Sequence, residues 1–161
     1  DNSNDETGFE IWRKAQSNGT YELYKQVTTG HSITLTDLNP NITYFFKVRA
    51  YRSSLFSSYS NEVISPLQKP TSLTGTVPTG LIQVNLQWTD NSGNETRYEI
   101  ERRMTGSINF ERVGIVGADV TSYSDTGTGL YRGTSYEYRV RAASDISTSG
   151  YSNIFQISIP Y

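Results

Sequence analysis

His31 is the single histidine of the 161-residue sequence, so it is the first residue to consider for catalysis. A serine or cysteine nucleophile usually needs a histidine base that a third polar group orients. His31 lies in a polar turn at residues 28–32, no motif places a nucleophile beside it, and the chain contains no cysteine. We therefore predict no catalytic residue and no enzymatic activity. The same shortage of nitrogen and sulfur ligands argues against zinc.

Two acidic loops could bind a metal ion through oxygen atoms. Residues 1–6 and residues 90–95 share one pattern of Asp, Asn, Ser and Glu. Clustered oxygens are the ligands of Ca²⁺, but residues 90–95 lack the spacing of an EF-hand loop and a bidentate glutamate at the right distance. Asn, Asp and Ser in such clusters more often bond to their own backbone as turns. The favoured interpretation is two turns, with no metal and no cofactor.

Trp12 is a candidate partner contact, because it falls on the outward face of a predicted strand. It is out of phase with Phe9 and Ile11, which are expected to point inward. Two interpretations are open. The ring could form a cation–π pair with Lys47 or Arg49 from a neighbouring strand, or it could stack on a sugar or contact a protein partner.

A repeated segment indicates which elements would hold these residues. Residues 38–50 and 130–142 share one pattern, in which a turn leads into alternating apolar and polar residues. In the first copy Tyr44, Phe46, Val48 and Ala50 lie on one face, as expected for a half-buried strand. A leucine stands six residues before the first tyrosine in both copies. This spacing resembles the tyrosine corner of immunoglobulin-like sandwiches, whose phenol packs in the core and bonds to the upstream backbone.

The repeat extends along the chain and predicts two domains, at residues 1–66 and 67–161. Equivalent residues are 89 apart up to residue 116 and 92 apart from residue 130, so the second copy has three more residues in the connection between. A short strand is predicted in that region, at residues 33–35 and 121–123. The strand with inward Ile82, Val84, Leu86 and Trp88 has no counterpart in the first copy.

Composition and charge indicate the class of protein. Tyr (12 residues) and Gly (13 residues) are plentiful and helix formers are sparse, which favours an all-β fold. A formal net charge of −2 gives nucleic acid no electrostatic reason to bind. The sequence has no apolar run of about 18 residues, the length that would span a membrane. No signal sequence opens the chain, so we expect any export signal to lie outside it.

Both halves of the chain resemble the fibronectin type III module, in particular the form found in bacterial secreted and cell-surface proteins. The resemblance implies an all-β fold of two immunoglobulin-like sandwiches in tandem. Residues 67–161 look like a complete module, whereas residues 1–66 look like strands C to G of a module that lacks its A and B strands. The features of the second half that carry the resemblance are Trp88 and residues 90–96, 98–102, 122–127, 130–142 and 151–153.

The missing strands have a consequence for stability. A fully buried large apolar side chain contributes about 1.5–3 kcal/mol, so the loss of four such residues removes roughly 6–12 kcal/mol. The net stability of a domain is only about 5–15 kcal/mol. Three explanations are open. The sequence belongs to a longer chain that supplies the strands, another chain covers the open face by strand swapping or pairing in an oligomer, or the domain repacks.

The resemblance also suggests contacts between neighbouring domains. Pro66 and Pro70 restrict the backbone of the joint, which should be short and semi-rigid. By the geometry of the family, the loops of the second module that contain Asn94 and Ile146 are expected to approach the first module. These four residues are therefore candidate interdomain contacts.

Leu55 and Phe56 are further candidate partner contacts. They form an exposed apolar pair in a predicted loop where polar residues are usual. In the family this loop points toward the preceding module. The pair could therefore pack against a preceding domain, or it could be a hot spot for a ligand.

The expected function is that of a non-catalytic structural spacer and protein-interaction segment of a larger secreted or cell-surface protein. Its partners would be neighbouring domains of that protein, with other proteins or glycans as further candidates. Neither nucleic acid nor insertion into a membrane is expected. Two alternatives remain: a carbohydrate-binding or adhesion module that uses Trp12, and an accessory segment of a polysaccharide-degrading enzyme.

Overall fold

The computed structural model describes residues 5–28 and 30–161, whose regular structure consists of β-strands. The chain divides into two compact units, Asp1–Ser65 and Pro66–Tyr161. Nowhere in the described ranges is there a helix that could cross a membrane. The strands of the first unit are β1 (Gly8–Ala15), β2 (Glu22–Val27), β3 (Tyr44–Arg52), β4 (Leu55–Phe56) and β5 (Val63–Ile64). Those of the second unit are β6 (Thr71–Thr76), β7 (Val84–Thr89), β8 (Arg97–Met104), β9 (Glu111–Gly117), β10 (Ser122–Asp125), β11 (Ser135–Ala143) and β12 (Phe155–Ser158).

The second unit is a sandwich of two antiparallel sheets. One sheet has the order β10-β7-β6 and the other has the order β12-β11-β8-β9. Alternation along each strand sends one set of side chains inward, where the two sets form a single buried cluster. The three-stranded sheet contributes Leu73, Val84, Leu86 and Trp88, and the four-stranded sheet contributes Tyr98, Ile100, Tyr138, Val140 and Ala142.

The described residues of the first unit form one sheet, in the order β2-β1-β3-β4 with β5 also paired to β3. Its register matches that of the four-stranded sheet of the second unit. Ile11 pairs with Val48, just as Ile100 pairs with Val140. The described residues supply no counterpart of the sheet formed by β10, β7 and β6. The predicted all-β fold with a first domain that lacks strands is therefore confirmed.

The short strand predicted at residues 33–35 is absent, and this prediction was wrong. Its counterpart in the second unit, β10, pairs with β7 along its whole length. The first unit has no strand equivalent to β7 among its described residues. Backbone groups in a strand need a partner for their hydrogen bonds, so the segment without this partner stays irregular.

The tyrosine corner is formed in the second unit. The hydroxyl of Tyr136 donates to the backbone oxygen of Gly129 at 2.8 Å and accepts from the backbone N–H of Tyr131 at 2.9 Å. Tyr44, its counterpart, is buried at the start of β3, but its hydroxyl makes no such bond within residues 5–28 and 30–161. Among the described residues, the corner is therefore closed in the second unit, which also has the opposite sheet.

Candidate functional site

One face of the sheet in the first unit is uncovered by other described residues, and we call it the open face. A groove of about 540 Å³ lies over it. The rim of the groove is formed by residues 30–32 and 57–60, which are mostly polar. The open face consists of the inward side chains Phe9, Ile11, Val27, Val48 and Ala50, which line the groove with Ile33.

Two positions of β3 are more exposed than their equivalents in β11. Val140 and Ala142 in the second unit are both 0% exposed. Their counterparts Val48 and Ala50 are only partly buried, although Ile11 beside them is 4% exposed. The same alternating sequence therefore makes a closed core in one unit and an accessible apolar surface in the other.

The backbone of β3 next to the open face is already paired. The hydroxyl of Ser57 accepts from the N–H of Ala50 at 2.9 Å, and the hydroxyl of Ser60 accepts from the N–H of Val48 at 3.0 Å. The N–H groups of the same two serines donate back to the oxygens of Ala50 and Val48. A partner would consequently pack on the side chains of the open face and would find these backbone groups occupied.

Trp12 lies on the opposite face, where Glu10 and Arg49 surround it. Its indole N–H donates to Glu10 at 2.9 Å, and the guanidinium of Arg49 lies 5.1 Å from its ring centre. Burial alone would raise the pKa of Glu10, but hydrogen bonds from Arg49, Trp12 and Gln26 outweigh it and lower that pKa. The cation–π contact is thus made with Arg49, and a partner contact at Trp12 stays a prediction.

Leu55 and Phe56 form β4, a two-residue strand that pairs with the end of β3. Leu55 is 71% exposed and Phe56 is 49% exposed. The guanidinium of Arg49 lies 3.9 Å from the ring centre of Phe56, so one ring face is already occupied. Leu55 is the more available of the two for a partner, and that contact also stays a prediction.

The sheet order, the tyrosine corner and the buried tryptophan of the second unit agree with a comparison of its sequence with known families. Residues 68–158 match the model of the fibronectin type III domain. The chain belongs to this family. A search of curated proteins found no match.

Solved structures that contain fibronectin type III domains are similar to the chain over most of its length. A two-domain fibronectin type III segment of chicken tenascin has a TM-score of 0.60 at 12% identity, over 94% of this chain and 83% of that one. The FN1–FN3 domains of chicken CNTN1 give a TM-score of 0.52 at 18% identity, over 96% of this chain and 56% of that one. The titin kinase with its flanking domains gives 0.49 at 27% identity, and the match spans 58% of this chain but only 17% of that structure. The likenesses to the tenascin segment and to the CNTN1 domains support the fold.

Both fibronectin type III units stack a cation between aromatic rings on the outer face. In the first, the ammonium of Lys47 lies 3.8 Å from the ring centre of Tyr59. In the second, the guanidinium of Arg139 lies 3.7 Å from Tyr151 and 4.1 Å from Phe110. Because the arrangement recurs in a unit with a closed core, we interpret it as part of the framework of the sheet.

The four candidate interdomain residues differ in their surroundings within the second fibronectin type III unit. Pro70 is fully buried and Asn94 is partly buried, whereas Pro66 is exposed and Ile146 is 57% exposed. Their role as contacts between domains stays a prediction. Of the two acidic loops, residues 1–4 lie outside the described part of the chain.

Sequence reasoning missed a buried charged group in the second unit. Asp125 is 0% exposed and accepts from Arg102 at 2.7 Å and from the hydroxyl of Tyr138 at 2.8 Å. Burial, followed by the negative charge of Asp125, raises the pKa of Tyr138 and keeps it a neutral donor. Arg102 and Asp125 are 23 residues apart, so only the pairing of strands could show that they meet.

Proposed function

We propose that this chain is a non-catalytic structural and protein-interaction segment of a larger secreted or cell-surface protein. Fibronectin type III domains are generally structural or interaction modules of larger proteins and are common in extracellular and cell-surface proteins. The open face of the first unit carries the proposal. An apolar surface of this kind is a binding surface in a soluble protein unless other residues cover it.

The occupant we propose for the open face is a pair of β-strands with the alternating pattern of β6 and β7. In the second unit these strands supply Leu73, Val84, Leu86 and Trp88 to the core. The first unit repeats the alternating pattern and the register of the facing strands, so its open face should accept side chains of similar size and spacing. Such strands could come from a longer parent chain or from a second copy.

The experiment adds a synthetic peptide of residues 68–89, which contains β6 and β7, to the 161-residue protein. Hydrogen exchange of the first unit is then measured by mass spectrometry. We expect slower exchange in β1 and β3, because the peptide buries the open face. The matched control is the same peptide with Leu86→Asp and Trp88→Ala, which should have no effect. Unchanged exchange of a monomeric protein with saturating peptide, or equal protection by both peptides, would overturn the proposal.

The oligomeric state distinguishes the two sources of the strands. Size-exclusion chromatography with light scattering on the protein alone should show a concentration-dependent dimer if a second copy covers the open face. A monomer that the peptide protects would instead support strands supplied by a longer chain. A monomer whose open face the peptide leaves unprotected contradicts both sources.

A second candidate function is the binding of glycans by the outer face of the first unit. The specific observation is a group of accessible rings, because Trp12 is partly exposed, Tyr59 is 37% exposed and Phe56 is 49% exposed. A glycan array with the wild-type protein and with Trp12→Ala tests it. Binding that disappears with Trp12→Ala would favour a carbohydrate-binding or adhesion module, or an accessory segment of a polysaccharide-degrading enzyme.

A further inference from the structure

Three carboxylates converge at one end of the second unit. Asp90 and Glu95 come from the loop between β7 and β8, and Asp119 comes from the turn after β9. One oxygen of each lies within 4.8 Å of the others. The turn expected from the sequence is present, because the N–H of Ser92 donates to Asp90 at 2.8 Å. Asp119 could not be foreseen, since it lies 24 residues beyond Glu95.

Glu95 has an oxygen that lacks a hydrogen bond. The residue is 6% exposed, and its Oε1 accepts from the backbone N–H of Asp119 at 3.0 Å. Its Oε2 is buried and has no hydrogen-bond partner. A buried carboxylate oxygen without a partner destabilises the folded protein. A ligand bound to this atom would reduce that cost.

Positive charge within the described residues does not balance the cluster. None of the ion pairs there involves Asp90, Glu95 or Asp119. The donors that do reach it are neutral, namely backbone N–H groups and the hydroxyl of Tyr98, which bonds to Asp90. Burial, followed by the charge of Asp90, raises the pKa of Tyr98 and keeps that hydroxyl a donor.

The first unit provides an internal comparison. Glu6 corresponds to Glu95, and its Oε2 is also buried without a hydrogen-bond partner. If the spacing of 89 residues is continued past residue 116, Asp119 aligns with Gly30, which offers no carboxylate. Both residues have a positive φ, 59° at Asp119 and 89° at Gly30, but only Asp119 has an acidic side chain. The three-carboxylate cluster is thus a property of the second unit within the described residues.

We propose that Asp90, Glu95 and Asp119 bind a calcium ion. Ca²⁺ takes oxygen ligands at about 2.3–2.6 Å, so two ligands of one ion lie up to about 5 Å apart, which accommodates these three oxygens. Backbone carbonyls and water would complete the six to eight ligands that Ca²⁺ prefers. The ion would give the orphan oxygen of Glu95 a partner and offset the negative charge. It would also join the two loops across the end of the sandwich.

The experiment uses the 161-residue protein after treatment with a chelator. Isothermal titration calorimetry with calcium chloride should show a single binding site, and the midpoint of thermal unfolding should rise with Ca²⁺ concentration. Tb³⁺ is an independent probe, since Tyr98 beside the site should sensitise its luminescence and Ca²⁺ should compete with it. No heat, no luminescence and no thermal shift at millimolar Ca²⁺ would overturn the proposal. Equal affinity for Mg²⁺ would overturn the assignment to calcium.

Matched variants separate binding from folding. Asp119→Asn should weaken Ca²⁺ binding at least about tenfold, because affinity depends on the number of charged ligands. Asn tolerates the positive φ at this position, so the circular dichroism spectrum should not change. Glu95→Gln should remove binding, whereas Glu6→Gln and Asp145→Asn should bind as the wild type does. If Asp119→Asn binds like Asp145→Asn, the site is not where we propose it.

Discussion

Asp125 illustrates how a single buried charge can be necessary to a module without contributing to a site. Arg102 is nearly buried beside it, so the loss of the carboxylate would leave a guanidinium without its charged partner. We expect Asp125→Ala to lower the free energy of unfolding of the second unit by about 3–5 kcal/mol. Chemical denaturation measures this change.

The control for Asp125→Ala is Asp145→Ala. The side chain of Asp145 is 93% exposed, and its ion pair with Arg97 spans 3.3 Å at the surface. Exposed pairs contribute about 0–1 kcal/mol, so this variant should unfold close to the wild type. Similar decreases in the free energy of unfolding for both variants would contradict a larger contribution from the buried ion pair.

Tyr136 supports a second prediction about single residues, because its hydroxyl joins two backbone groups of the preceding turn. Tyr136→Phe leaves both without this partner and should lower the free energy of unfolding by about 1–3 kcal/mol. Tyr131→Phe is the control in the same unit, since Tyr131 is 58% exposed and its hydroxyl has no partner among the described residues. An equal effect of the two variants would contradict a structural role for the corner.

The sheet of the first unit and the four-stranded sheet of the second unit have the same register, but an opposing sheet covers only the second one among the described residues. Comparing the two therefore tests how the open face affects local stability. Ile11 and Val48 in β1 and β3 correspond to Ile100 and Val140 in β8 and β11. The first pair lacks an opposing sheet within the described residues. We expect its backbone amides to exchange with deuterium at least about tenfold faster. Opening of this sheet exposes less buried apolar surface to water, so it costs less free energy. Equal protection of the two pairs would mean that the open face is covered in solution.

The sequence predicted the strands well where the alternating pattern and the repeat agreed. The alternation of Tyr44, Phe46 and Val48 correctly predicted β3. The first copy has no counterpart of the strand that contains Trp88, and this correctly predicted that its described residues form a single sheet. The strand at residues 33–35 was predicted wrongly, because the pattern reports local preference and says nothing of a pairing partner. Candidate contacts such as Trp12 could be recognised from the sequence, because the alternation of its strand places Trp12 on the outward face. Asp119 and Asp125 were not, since their surroundings depend on which loops and strands meet.

The unit with the closed core should be sensitive to alkaline pH. Burial is the first cause that raises the pKa of Tyr98 and of Tyr138 above the value of about 10 in an unfolded chain. Below pH 10 both folded and unfolded states keep these protons, so the stabilisation is fully present. Above it the unfolded state loses them while the folded state retains them, and each tyrosine removes about 1.4 kcal/mol per pH unit.

Urea denaturation of the second unit at a series of pH values, followed by tyrosinate absorbance, measures this loss. Tyr138→Phe should make the dependence above pH 10 less steep. Tyr161→Phe is the control variant, because Tyr161 is 97% exposed. A stability that does not change between about pH 10 and pH 12 would contradict the assignment of protected tyrosines.

The irregular segment at residues 33–35 affects how the whole molecule would respond to a strand pair on the open face. The arrival of such a pair would also give this segment a neighbour to bond with, so one more strand would form than the partner brings. Each newly ordered residue costs about 1–2 kcal/mol of conformational entropy. The complex should therefore be weaker than one in which a preformed surface buries the same area. The heat capacity should fall by more than the docking of a preformed surface would produce, because binding here completes a fold.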